Sequence, residues 1–208
     1  MTEIRELLKM ITYKPELHAR WLNTLSLMEN CGAILIAKSE HPLMVPEEIL
    51  KHAAEEFRHA YFFKSQIKHI IPGILKTYQI DEILGGIYSV HYLKRLNLEI
   101  SRFLKEEKKV NEADLKEYSY LLVTYAIEIR AEQIYPIYQS ILKEMSSKIS
   151  ILNIIRDEKH HLEEILIELE SSPAKAWIAD VSAIEEKLFL KWKNSLEFES
   201  TYTEKIYA

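Results

Sequence analysis

The stretch ILNIIRDEKHHLEEILIEL, residues 151–169, decides the fold class of this chain. Its isoleucines and leucines recur every three or four residues, which is the period of an α-helix with one buried face. Glu158 and His161 fall on that apolar stripe. Because residues i and i+3 share a helical face, this helix is predicted to direct a carboxylate and an imidazole into the core.

A second helix repeats this pattern. The apolar stripe of the segment that follows Pro46 passes through Glu56 and His59, which again form Glu-x-x-His. A buried carboxylate without a partner is costly, and two of them on facing helices also repel each other. Shared dications would supply the missing positive charge. Carboxylate and imidazole together suit iron or manganese and are poor ligands for copper(I).

Two further helices offer carboxylates to the same core. Glu29 lies on the apolar face of its helix, 27 positions before Glu56, and Glu128 lies 30 positions before Glu158. Each half of the chain therefore contains a Glu, then a turn, then Glu-x-x-His. Glu132, which is 26 positions before Glu158, competes with Glu128 for this role.

The distribution of helix breakers defines the architecture. The chain has 208 residues with only 4 Gly and 6 Pro, which favours long helices. Helices are predicted at about 3–11, 16–38, 46–71, 81–107, 112–144, 147–169 and 174–198, with a break at His41-Pro42. We predict one all-α domain, 1–208, whose up-down four-helix bundle (about 16–170) has a long crossover. Additional N-terminal, crossover and C-terminal helices (the last about 174–198) complete it.

Composition excludes several classes of protein. The single cysteine, Cys31, rules out an intramolecular disulfide and favours a cytoplasmic setting. No apolar stretch approaches the roughly 20 residues needed to cross a bilayer, so no membrane association is expected. The net charge of −5 argues against a general nucleic-acid binder.

The ordered set of Glu and Glu-x-x-His elements resembles the ferritin-like di-iron carboxylate superfamily. That superfamily includes rubrerythrins, ribonucleotide reductase small subunits and bacterial multicomponent monooxygenases. The resemblance spans about residues 16–169, and two Glu-x-x-His elements in this order are far more specific than one. The segment 127–130, Ile-Glu-Ile-Arg, also resembles the Glu-Ala-Arg element of tRNA-hydroxylating members, which favours Glu128 over Glu132.

The resemblance implies a site with two iron ions, or alternatively a manganese–iron pair. The implied metal ligands are Glu29, Glu56, His59, Glu128, Glu158 and His161. Outside them, Asp157 would orient His59, and Glu55 would orient His161. His52 is a candidate extra ligand, since some di-iron N-oxygenases use a similar element to add a third histidine. Tyr125 or Tyr135 is a candidate redox-active or hydrogen-bonding neighbour.

The leading functional hypothesis is an oxidase or monooxygenase that uses O₂ to oxidise a small organic substrate. An unidentified electron donor would supply reducing equivalents, and a homodimer is a common assembly for such bundles. One alternative is a ferroxidase or iron-handling ferritin-like protein. Another is a metal-free helical interaction module, in which the Glu-x-x-His elements occur by chance on charged helices.

Overall fold

Long helices account for nearly all the regular structure in the computed structural model, which describes residues 3–39, 43–73 and 75–207, with side chains as far as 201. Within those residues there are seven α-helices: α1 (Ile4–Thr12), α2 (Pro15–Ser39), α3 (Glu47–Gln66), α4 (Gly86–Arg102), α5 (Glu112–Glu144), α6 (Leu152–Ser171) and α7 (Ile178–Tyr207). The prediction of an all-α fold is thus confirmed. The predicted break at His41-Pro42 lies outside the described residues.

Local signals explain where several helices begin. The side chain of Asn111 accepts hydrogen bonds from the backbone amides of Ala113 and Asp114, which caps the first turn of α5. Pro46 precedes α3, and Glu47 and Glu48 lie in its first turn, where the helix dipole favours acids. These signals set the start of the two helices that carry Glu56 and Glu128.

Two helical hairpins form the centre of the molecule. Helix α2 packs along α3, and α5 packs along α6, each pair joined by a short connection that makes the partners antiparallel. Helix α4 lies between the hairpins in sequence and contacts both α2 and α5. The buried aliphatic side chains of all these helices form one continuous core.

Helix α7 is held against the bundle by an aromatic stack and a buried ion pair. The Trp192 ring stacks on Trp21 and Tyr92, with ring centroids 6.0 and 5.3 Å apart, respectively. Glu185, which is 5% exposed, accepts a 2.9 Å hydrogen bond from Nε of Arg130 and a second one from the Tyr92 hydroxyl. The C-terminal helix is therefore part of the core.

Several predicted helix boundaries were wrong. The crossover α-helix begins at Gly86 instead of Asp81, because a separate 3₁₀ turn occupies Ile80–Glu82. Helix α6 begins at Leu152 instead of Ser147, and the side chain of Ser147 bonds the Ile149 amide in the preceding turn. The last α-helix follows a 3₁₀ turn and continues to Tyr207, well beyond residue 198.

Hydropathy along the helices is too low for a membrane span. Among the described residues, no helix is both long enough and apolar enough to cross a bilayer.

Breaking the Arg130–Glu185 pair should destabilise the fold. Arg130→Met leaves the Glu185 carboxylate buried without its cation, so we expect a loss of about 3–5 kcal/mol in the free energy of unfolding. Urea denaturation measures this loss. The double variant Arg130→Met/Glu185→Leu should recover most of it, and Arg95→Met at an exposed position should change it by less than about 0.5 kcal/mol. Equal effects of the two single arginine variants would contradict this role.

Candidate metal centre

All six predicted ligand side chains lie together in the interior. Each is at most 7% exposed, and His52 joins them at 6%. We call these seven residues the carboxylate–histidine cluster: Glu29 from α2; His52, Glu56 and His59 from α3; Glu128 from α5; Glu158 and His161 from α6. The cluster therefore draws on all four helices of the two hairpins.

The first half of the cluster contains Glu29, Glu56, His59 and Glu158. One ligand atom from each of these residues lies within 4.8 Å of the others. His59 Nδ1 is 2.9 Å from Glu158 Oε1 and 3.7 Å from Glu56 Oε1. His59 of one Glu-x-x-His helix, α3, therefore contacts the Glu158 carboxylate of the other, α6.

The second half contains His52, Glu56, Glu128 and His161, whose ligand atoms are equally close. His161 Nδ1 lies 3.4 Å from Glu56 Oε1 and 3.7 Å from Glu128 Oε1. His52 Nε2 lies 3.4 Å from Glu128 Oε1. Glu56 belongs to both halves, and Glu158 Oε2 also approaches His161 Nδ1, at 3.8 Å. The two halves are adjacent and share a carboxylate.

Several buried atoms of the cluster make no hydrogen bond of good geometry, although His59 Nδ1 and Glu158 Oε1 form an ion-pair contact at 2.9 Å. Among the described residues these include His52 Nε2, Glu56 Oε1, His59 Nδ1, Glu128 Oε2, Glu158 Oε1 and His161 Nδ1. Buried polar groups in folded proteins are nearly always paired, and unpaired charged groups are costly. Six such atoms in one cluster, all of types that bind metals, indicate a place for cations.

The opposite nitrogens of two histidines are held by outer carboxylates. His59 Nε2 lies 3.3 Å from Asp157 Oδ2, and His161 Nε2 lies 2.9 Å from Glu55 Oε2. Arg58 connects these acids, since its Nη2 is 3.0 Å from Asp157 and 3.9 Å from Glu55. The contacts fix both rings with Nδ1 directed at the cluster, which is the arrangement that metal-binding histidines commonly show.

Tyrosines support two other members of the cluster. The Tyr135 hydroxyl donates a short hydrogen bond to Glu29 Oε1, and the Tyr120 hydroxyl lies 3.3 Å from His52 Nδ1. Tyr125 is only half-buried and belongs to neither half of the cluster. Glu132 is exposed and also outside both halves, so the structure brings Glu128 to the cluster and leaves Glu132 at the surface.

Burial and mutual repulsion control the charge of three carboxylates. Burial, followed by the charge of Glu158, raises the pKa of Glu29 and raises the pKa values of Glu56 and Glu128 well above the usual value. Without a cation, these acids therefore retain protons at a pH where exposed acids are ionised.

Glu158 and its two imidazole neighbours form the charged part of the cluster. Burial alone would raise the pKa of Glu158, but His161 and His59 hold it below its usual range. Burial likewise acts to lower the pKa of His59, yet Glu158 raises it to about 9. His52 differs, because burial and then His161 lower its pKa to about 3. His52 is therefore a neutral imidazole at pH 7, which is the form that binds metals.

The donor set fits divalent transition metals. Four carboxylates and three imidazoles supply hard oxygen and borderline nitrogen ligands, as iron and manganese prefer. Tetrahedral zinc sites usually need four ligands, whereas this cluster offers seven side chains in two overlapping halves. The residues present therefore fit such ions.

Two cavities adjoin the cluster. The larger has a volume of about 370 Å³ and reaches Glu56 and Glu128. The smaller, of about 60 Å³, reaches Glu29, Glu56 and Glu158 from another side. Gly32 lines both cavities. Small molecules thus have space to approach the carboxylates directly.

His52 was predicted only as an extra candidate ligand, and Tyr120 was not predicted to lie near the ligands. A signal was present for both. His52 lies one helical turn before Glu56, and Tyr120 lies two turns before Glu128, so each shares a face with an expected ligand. Once the ligands are known, helical spacing therefore predicts which residues of the same face can contact them.

Comparison of the chain with protein-family models, with curated proteins and with solved structures finds no match. The cluster must therefore be interpreted from its geometry and chemistry.

Protons and metal ions should compete for the cluster. Without metal, raising the pH from 6.5 to 9 should reduce stability, because His59 has a folded-state pKa of about 9 against 6.5 and so loses its contribution, about 3 kcal/mol, across that range. The raised pKa values of Glu56 and Glu128 act in the same direction. Bound metal requires deprotonated ligands, so the stabilisation by Mn²⁺ should grow over the same range.

Thermal melting of chelator-treated and Mn²⁺-loaded protein at several pH values measures this competition. His59→Asn should reduce the decrease in melting temperature that the metal-free protein shows as the pH rises. His160→Asn, at an exposed position, should leave that decrease unchanged. Parallel curves with and without Mn²⁺ would show that no proton competes with the metal.

Proposed function

We propose that the protein is a ferritin-like di-iron carboxylate enzyme that uses O₂ to oxidise a small organic molecule. A manganese–iron pair would fit the same ligands. Electrons would come from a separate donor. The proposal rests on the two adjacent halves of the carboxylate–histidine cluster and on the buried unpaired atoms within them.

Metal binding explains why the core tolerates these side chains. Four acids with ligand atoms only a few ångströms apart would repel one another in a medium of low polarity if they were ionised. Protonation relieves the repulsion but leaves buried ligand atoms unpaired. Two dications would neutralise the carboxylates and would also bind the unpaired ligand atoms. Metal binding would therefore remove both the repulsion and the cost of the unpaired atoms.

The ligands of the two ions follow from the two halves. Glu29 and His59 would bind one ion, and His52, Glu128 and His161 the other. Glu56, which is common to both halves, would bridge the ions. Glu158 is close to histidines of both halves and is the second candidate bridge. Iron ions, when bound, would supply the redox chemistry that activates O₂.

Other residues of the chain control orientation and protons. Asp157 and Glu55 hold the His59 and His161 rings through Nε2. Tyr135 holds Glu29 by donating its hydroxyl proton to Oε1, and this restrains the carboxylate on the side of the smaller cavity. Each side chain of the cluster is at most 7% exposed, and this limited contact with water favours a controlled reaction over loss of oxidising equivalents.

The larger cavity favours an enzyme over an iron-storage protein. A volume of about 370 Å³ beside Glu56 and Glu128 lies in the range of small-molecule sites and greatly exceeds the needs of an iron ion. Its lining includes several aliphatic side chains, which a path for hydrated iron does not require. These features support an organic substrate.

Metal stoichiometry tests the centre itself. Anaerobic addition of iron(II) should give two ions per chain, measured by inductively coupled plasma mass spectrometry. Glu128→Gln should reduce this number to about one, because it removes a charged ligand from one half. Glu132→Gln, one turn away on the same helix, should retain two ions and serves as the matched control.

Three outcomes separate the candidate functions. O₂ uptake that continues with an added reductant supports the enzyme. Uptake that stops when all iron(II) is oxidised, together with assembly into a large cage, would favour an iron-handling protein. If no metal binds, and neither iron nor manganese raises the melting temperature, the proposal fails and the protein is a metal-free helical module.

A further inference from the structure

The larger cavity runs from the surface to the carboxylate–histidine cluster. Its lining comes from α2, α3, α4 and α5 and includes exposed Lys38 and Lys116 as well as buried Glu56 and Glu128. One end is therefore open to solvent, and the other ends at two carboxylates that are 5% and 2% exposed. A ligand in this cavity would have two chemically different ends.

Apolar atoms make up most of the cavity surface, although polar side chains such as Asn97, Tyr120 and Thr124 also line it. The aliphatic residues of the lining are Leu35, Ile36, Leu115, Val123 and Ile127. The hydroxyls of Ser101 and Ser119, which also line the cavity, lie 3.2 Å apart and can bond each other. The apolar part of the walls thus matches a hydrocarbon segment, whose burial removes apolar surface from water.

Among the described residues that line the outer end, basic side chains outnumber acidic ones. They are two lysines, Lys38 and Lys116, and one acid, Glu112. The Glu112 side chain is 92% exposed and lies 4.0 Å from Lys105, so its charge is directed partly toward that residue. An anionic group would be attracted to the lysines, which favours binding of an acid with its charged group at the outer end.

Gly32 keeps space open at the inner end. It lies inside α2, where glycine is less favourable than alanine because it loses more backbone freedom on folding. A Cβ atom at this position would meet Glu56 Oε2 at 3.6 Å, an ordinary contact distance, and among the described residues nothing else lies within 4 Å. Packing would therefore accept alanine, and the feature that a side chain would remove is the space beside Glu56 that both cavities share.

We propose that the larger cavity binds an aliphatic organic acid. Its carboxylate lies at Lys38 and Lys116, its chain runs along the aliphatic wall, and its far end lies beside Gly32 and Glu56. A volume of about 370 Å³ accommodates a ligand of about twelve non-hydrogen atoms. Gly32 determines how far the chain penetrates. Oxidation of that far end rests on the proposed function, whereas binding of the acid does not.

Calorimetric titration tests the class of ligand. Decanoate should bind the Mn²⁺-loaded protein more tightly than decan-1-ol and much more tightly than decyltrimethylammonium. Lys38→Glu/Lys116→Glu should weaken decanoate binding at least about tenfold, because it reverses two charges at the outer end. Lys187→Glu, an exposed charge reversal on α7, is the control and should have no effect. Equal binding of the acid and the alcohol would overturn the assignment of the lysines.

Substitutions at Gly32 test the inner end. Gly32→Val should abolish decanoate binding while octanoate and shorter acids bind, and Ala37→Val on the exposed face of the same helix should bind like the unmodified chain. Gly32→Ala, which needs no rearrangement, should weaken decanoate binding by a smaller factor, and the variant should still bind two Mn²⁺ ions. Paramagnetic relaxation by Mn²⁺ should broaden the decanoate methyl signal more than the signal next to its carboxylate. The reverse order would contradict the orientation.

The two proposals fail in different ways. If the protein binds no metal yet binds decanoate with the expected effects of the lysine and Gly32 variants, the di-iron proposal fails alone. If it binds two ions but decanoate does not bind, or binds equally to all variants, the inference about the cavity fails alone.

Discussion

The cost of placing four carboxylates in an apolar core governs this structure. Glu29, Glu56, Glu128 and Glu158 are each at most 7% exposed and approach one another closely. Each acid comes from a different helix, so the same four helices that build the core also bring the repelling charges together. The protein resolves the conflict partly with protons and partly with imidazolium groups around Glu158. Dications would resolve it completely, and the outer carboxylates already hold two rings in position for them.

Helical periodicity carries most of the information about this fold. The recurrence of apolar residues every three or four positions is enough to predict that both Glu-x-x-His elements lie on buried stripes, and the all-α class follows from the same pattern. The choice between Glu128 and Glu132 is harder, because residues one turn apart have similar positions on a helical face. Only the packing of α5 against its neighbours, which buries one and exposes the other, separates them.

Other features depend on contacts that no single helix contains. The larger cavity is formed by residues of four helices, so its volume depends on how those helices cross. The boundaries of α4, α6 and α7 differed because short 3₁₀ turns and side-chain bonds in the connections compete with helix extension. Periodicity reports which residues face inward, whereas space between helices depends on tertiary packing.

Arg58 gives the centre an unexpected sensitivity at the protein surface. One guanidinium, about half exposed, spans the acids that steady His59 and His161. The positions of the His59 and His161 rings therefore both depend on one group that is in contact with solvent. High ionic strength or chemical modification of this arginine would loosen both rings together, so an event at the outer surface of α3 can alter both halves of a buried centre without touching any residue inside it.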